Sequence, residues 1–205
     1  MDDEVRDSWE KMLNPKTLRQ NLVTAAVFLT AYEMLKEALV DRLRGFYSTE
    51  WTKDGPEVGA GYQREVRGLD KKEVIACAKW FRRSDALTDA DLVLLQEIIQ
   101  HRNTAAHHLP AVLGSSEKQF SLRHLHAIYE LTAKLDVWWI KSIEVETDPA
   151  FDKERPTEDQ LNQSYSIRMV FMSLLIQVAE GNDATLTEIY EGWKKGVSGP
   201  PKSGS

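Results

Sequence analysis

Apolar positions recur every three or four residues along most of this chain, the spacing of helices that turn one face to a core. Asn14 is an N-cap residue type and Pro15 suits a first helical position. From there Leu18, Leu22, Ala25, Ala26, Leu29, Tyr32, Leu35, Leu39 and Leu43 predict a long, Ala-rich helix up to Gly45. The segment 51–61 holds three Gly and a Pro, so it reads as a loop. A second helix is expected over about 69–81, capped by Asp70 or a neighbour. Thr88, with Asp91 three residues later, has the form of a capping box. It opens a helix through Leu92, Leu95, Ile98 and Ile99 to His107 or His108, since Pro110 disfavours helix before it.

The spacing of Leu122, Leu125, Ile128, Leu131, Leu135 and Trp139 predicts a fourth helix over 121–143. An acidic loop is expected over 144–156, then a helix from Thr157 to Val178 stopped by Gly181, and a last helix over about 184–195. No segment alternates as a strand should. The expected fold class is an all-α helical bundle. It forms one domain over 1–198, with a core over about 15–143, a C-terminal helical extension over about 157–195, and a tail, 199–205, expected to be disordered.

Composition narrows the class. Charged residues at 28% and hydrophobic residues at 42% suit a soluble globular chain. No apolar run approaches the roughly 18 residues of a membrane span. The acidic start, Met1-Asp2-Asp3-Glu4, lacks the order of a secretory signal, so a cytoplasmic location without membrane attachment is expected. Cys77, the one cysteine, excludes an internal disulfide and reads as packing. The net charge of −6 argues against a generic nucleic-acid coat protein. Charge is nevertheless uneven: Arg64, Arg67, Lys71, Lys72, Lys79, Arg82 and Arg83 face only Glu65, Asp70 and Glu73 within 61–83. Such a block reads as a solvated face or as a local attraction for RNA.

The chemistry-bearing stretch is Gln100-His101-Arg102-Asn103-Thr104-Ala105-Ala106-His107. At about 100° per residue, Arg102 falls within the arc of Leu92, Leu95, Ile98, Ile99, Ala105 and Ala106. A guanidinium there needs an acid from another helix, a polar cleft or a second subunit. Imidazole suits proton transfer near neutral pH, and guanidinium suits a phosphate and its transition state. The plainer reading is an Arg paired with a neighbouring acid and a His capping a helix end. His101 and His108 share a face, whereas His124 and His126 point about 200° apart. No Asp, Glu, His and Cys cluster has metal-ligand spacing, and no cofactor motif occurs. Trp138 and Trp139 read as core or interface cover.

Arg102-Asn-Thr-Ala-Ala-His107 on the late turns of a helix resembles the signature of the HEPN superfamily, and the long Ala-rich helix extends the likeness. The resemblance implies a four-helix core that dimerises through its motif helices, here through Leu95, Ile99 and Ala106. It implies metal-independent RNA cleavage by attack of the ribose 2′-hydroxyl, with no cofactor. His107 would be the acid or base, Arg102 the phosphate clamp and Asn103 an orienting residue. Family members include toxins and phage-defence effectors that cleave tRNA or mRNA, sometimes with an antitoxin or defence partner. Others are silent interaction modules.

Overall fold

The computed structural model describes residues 13–53, 55–107, 122–152, 155–162 and 166–197, with Arg6 and Trp9 besides. It is an all-α helical bundle. The first helix, α1, runs Pro15–Lys36 and continues through a π-helical turn, Glu37–Asp41, into Arg42–Phe46. Its start is built as its sequence requires: Asn14 Oδ1 accepts from the backbone N–H groups of Lys16 and Thr17 at 3.0 and 3.2 Å. Its long apolar face, from Ala25 through Phe28, Ala31 and Leu35 to Leu43, is buried.

The expected loop at 51–61 is instead an antiparallel hairpin, β1 (Ser48–Thr52) and β2 (Gly55–Val58), followed by a short helix, α2 (Ala60–Glu65). Gly55 pairs with Thr52 at the start of β2 and takes φ +117°, a conformation that favours glycine. The two strands are too short to show alternation. The second expected helix starts later than 69. A 3-10 turn, Arg67–Leu69, precedes α3 (Glu73–Arg83), whose cap is Lys72. Asp70 accepts from the Lys72 N–H at 2.9 Å in the turn before it.

The motif helix, α4, spans Asp89–His107. Its capping box forms in both directions: Thr88 N–H donates to Asp91 Oδ2 at 2.9 Å, and Asp91 N–H donates to Thr88 Oγ1 at 3.2 Å. The next helix, α5, covers Leu122–Trp139 and runs on through a π turn, Ile140–Glu144, and Val145–Thr147, into the expected acidic loop. A 3-10 turn, Pro149–Asp152, follows. The single helix expected over 157–178 is two, α6 (Glu158–Asn162) and α7 (Ile167–Glu180), because Ser166 starts a new cap on the Met169 N–H. Gly181 ends α7 at φ +69°, as expected of a left-handed stop. The last helix, α8, is longer than expected, Asp183–Val197. The tail 199–205 lies outside the described residues.

α5 stands between α4 and α7. His124 and Lys134 of α5 meet His101 and Asp91 on the α4 side. His126 and Asp136 meet Glu180 and Arg168 on the α7 side. The divergence of His124 and His126 around the helix is what sends them to different neighbours. Asp136, 1% exposed, holds Arg42 at 2.7 Å and Arg168 at 3.2 Å and accepts from Ser166, tying α1, α5 and α7 together. Trp138 and Trp139 join Phe46, Trp80 and Phe81 in an aromatic cluster. Among the described residues, no helix is long and apolar enough to cross a membrane.

Candidate functional site

α4 buries Leu95, Ile98 and Ala105 against α1 and α5. The remaining faces of its last three turns are polar and carry the motif. Leu95, expected near a dimer interface, is 1% exposed within the chain itself. The apolar arc is consumed by the bundle's own core. Ile99 is half-buried and Ala106 is exposed.

Arg102 lies at the edge of that core, its side chain one-third exposed. Nη2 donates to Glu33 Oε1 of α1 at 3.3 Å, and the guanidinium carbon sits 5.4 Å from the centre of the Tyr32 ring. The acid from another helix is therefore present. Nη1 makes a long contact to Asn103 Oδ1 at 3.4 Å, while Nε is buried with no acceptor among the described residues. Glu33 is shared with Lys36, whose hydrogen bond holds its carboxyl below the usual range, with the Arg102 charge adding to this. Burial raises the Tyr32 phenol above its ordinary value.

Asn103, exposed beside Arg102, also lines a groove of about 610 Å³ between α4 and the start of α3. Asp70, Lys72 and Ile75 line one wall; Gln96, Ile99, Gln100, Asn103 and Thr104 line the other. The amides recur at helical spacing and offer paired donors and acceptors. Lys72 brings a positive charge to the same space. Sequence reading gave no place to this amide ladder, although the i, i+4 and i+7 spacing of Gln96, Gln100 and Asn103 was open to view.

His107 is the last described residue of α4. Residues 102–107 are helical throughout, so His107 stands five residues beyond Arg102 on the same helix. His108, proposed as a face partner of His101, lies outside the described residues. His101 instead stacks on His124 of α5, ring centres 4.7 Å apart, and meets the Phe28 ring edge-on at 5.2 Å. Burial and then the neighbouring imidazole lower the His101 pKa; burial and then Arg123 lower that of His124.

The basic block divides. Arg64 pairs with Glu65 at 2.9 Å, Arg67 donates to the Lys71 carbonyl, Lys79 holds Asp70 at 2.7 Å, and Arg82 holds Asp89 at 2.8 Å. Lys71, Lys72 and Arg83 are exposed and form no ion pair among the described residues, although the Lys72 charge adds to the Lys79 hydrogen bond in holding the Asp70 carboxyl below its usual range. Cys77 is fully buried beside Tyr62, and burial pushes its thiol up to about 11. Among the described residues, no group of three or more His, Cys, Asp or Glu stands close enough to hold a metal ion.

Compared with protein-family models, with curated proteins and with solved structures, the chain matches none of them.

Proposed function

We propose that this chain is an endoribonuclease of HEPN type that cleaves tRNA or mRNA without a metal ion, as a toxin or phage-defence effector. The observation that carries this reading is the placing of Arg102 and Asn103. A partly exposed guanidinium and an exposed amide stand side by side, next to a groove that Lys72 also lines. Arg102 contacts Glu33 through Nη2 at a long 3.3 Å and Asn103 through Nη1 at 3.4 Å, so its partly exposed guanidinium keeps loosely held donors that a phosphate can engage.

In the proposed reaction the RNA phosphate sits against Arg102, and His107 takes the proton of the adjacent ribose 2′-hydroxyl. The 2′-oxygen bonds to phosphorus, and the bond to the 5′-oxygen breaks with that oxygen taking a proton from water. The products are a 2′,3′-cyclic phosphate and a 5′-hydroxyl. Arg102 stabilises the charge gathered on the pentacoordinate phosphorus, and Asn103 orients the strand.

Purified protein incubated with total tRNA and mRNA tests this, beside an Arg102→Ala/His107→Ala variant. Cleavage by the wild type alone is expected, persisting in excess EDTA and abolished by 2′-deoxy substitution at the scissile nucleotide. Expression of the wild type is expected to arrest growth, and His107→Ala to relieve the arrest. Cleavage of the 2′-deoxy substrate or a strict magnesium requirement overturns the mechanism. A second reading, a silent helical interaction module or regulatory partner, draws on the Arg102–Glu33 pair, since a guanidinium held by an acid needs no substrate. It expects no cleavage from either protein.

A further inference from the structure

α7 is apolar on two opposite faces. Met169, Met172, Ile176 and Ala179 point into the bundle and are buried. On the far side of the helix, Ile167, Phe171, Leu174 and Val178 follow one another at intervals of four, three and four residues. That is the spacing of a seam that packs against another helix. Ile167 is 84% exposed, Phe171 51% and Val178 40%. α8 repeats the situation: Leu186, Ile189, Tyr190 and Trp193 fall within one arc of about 100°. Ile189 is 47% exposed, Tyr190 56% and Trp193 61%, and the Tyr190 and Trp193 rings stack on each other in the open. These two helices leave roughly 700 Å² of side chain in water, given aromatic side chains of about 150 to 250 Å² each. A monomer's largest apolar patch is about 300 to 600 Å², whereas a standard interface takes about 800 Å² per partner.

Charge along α8 selects the occupant. Asp183 in its first turn and Lys194 in its last flank the same edge of that arc, about 60° and about 80° round from Leu186, whereas Glu188 and Lys195 fall on the opposite face. Two such helices laid antiparallel bring each Lys194 to the other's Asp183; laid parallel they oppose like charges. Lys194 pairs within its own helix with Glu191 at 2.8 Å, an exposed contact that exchanges readily. A twofold axis produces the antiparallel arrangement and makes the patch its own complement.

We propose that a second copy of this chain docks on the α7–α8 face about a twofold axis, with the two α8 helices antiparallel. Because α5 stands between α7 and α4, this interface leaves the Arg102 face and its groove uncovered in both copies.

Sedimentation of the full chain at micromolar concentration tests it. The expected result is a particle of twice the 23.4 kDa chain mass. Phe171→Glu and Trp193→Ser, both at exposed positions, are expected to raise the dissociation constant by about tenfold or more each, as loss of a central aromatic does. Circular dichroism should stay unchanged. Ala106→Glu on α4 is expected to leave the dimer intact. The charge argument has its own readout. Lys194→Glu and Asp183→Lys variants should each associate poorly alone and pair with one another when mixed. A chain that stays monomeric overturns the proposal, whether it remains alone or partitions onto phosphatidylglycerol vesicles. So does a dimer that dissociates with Ala106→Glu and ignores Phe171→Glu, or charge variants that fail to pair when mixed.

Discussion

Arg102 and Glu33 are 69 residues apart in sequence and 3.3 Å apart in the fold. Glu33 also accepts from Lys36 at 2.9 Å, so one carboxylate is divided between two cations. On the proposed reading, this half-exposed acid would compete with an RNA phosphate for Arg102.

Removing that competitor is a direct test. Glu33→Gln is expected to change stability by less than about 1 kcal/mol, the range of exposed ion pairs. It should tighten binding of a labelled RNA by about three- to fivefold, the equivalent of 0.5 to 1 kcal/mol. Fluorescence anisotropy checks this. Weaker binding would instead make Glu33 a positioning residue for Arg102.

The stacked pair His101–His124 makes stability fall on mild acidification. Both folded-state values lie below the ordinary imidazole value, so the unfolded chain takes up protons first. The pair therefore costs nothing above the ordinary value of about 6.5, and stability is lost as pH falls below it. The thermal midpoint is expected to drop between pH of about 7.5 and about 5.5, above the range where carboxylates titrate. His124→Gln should flatten that drop. An unchanged slope in the variant refutes the assignment.

Asp136 is the buried anion between Arg42 and Arg168. Asp136→Ala leaves two guanidinium groups without their shared partner, and Arg42 is already pulled below its ordinary value by burial. A loss of about 3 to 5 kcal/mol is expected in urea unfolding, the cost of orphaning a buried charge. A loss under about 1 kcal/mol would mean that water replaces the carboxylate.

Lys72 lines the groove, and Arg82 is engaged by Asp89. Lys72→Ala is expected to weaken RNA binding and to lower the salt slope by about one, as loss of one phosphate contact does. Arg82→Ala should do so less. Equal effects would show that the whole block acts as a diffuse field.

The helical class, the Asn14 cap, the reciprocal Thr88–Asp91 cap and the Gly181 stop were all legible, because each is set by residues within four positions of one another. Helix ends were less so. α5 runs past 143 through a π turn, and the stretch from Thr157 to Val178 splits at Ser166; polar, acidic turns accept helix or loop with little difference in energy. The hairpin at 48–58 escaped because four- and five-residue strands carry almost no periodicity.

The same division holds at the site. The chain itself determined that a guanidinium, an amide and an imidazole share the late turns of one helix, since local spacing alone puts them there. Which way each faces was decided only by tertiary packing. Leu95 went inward because α1 and α5 close over α4; Arg102 met Glu33, and Asn103 met the groove beside Lys72. The outward apolar stripe of α7 shows the limit most clearly. Periodicity reports that a helix has apolar faces, but burial depends on how many neighbours arrive, and only the assembled bundle leaves one face covered and the other in water.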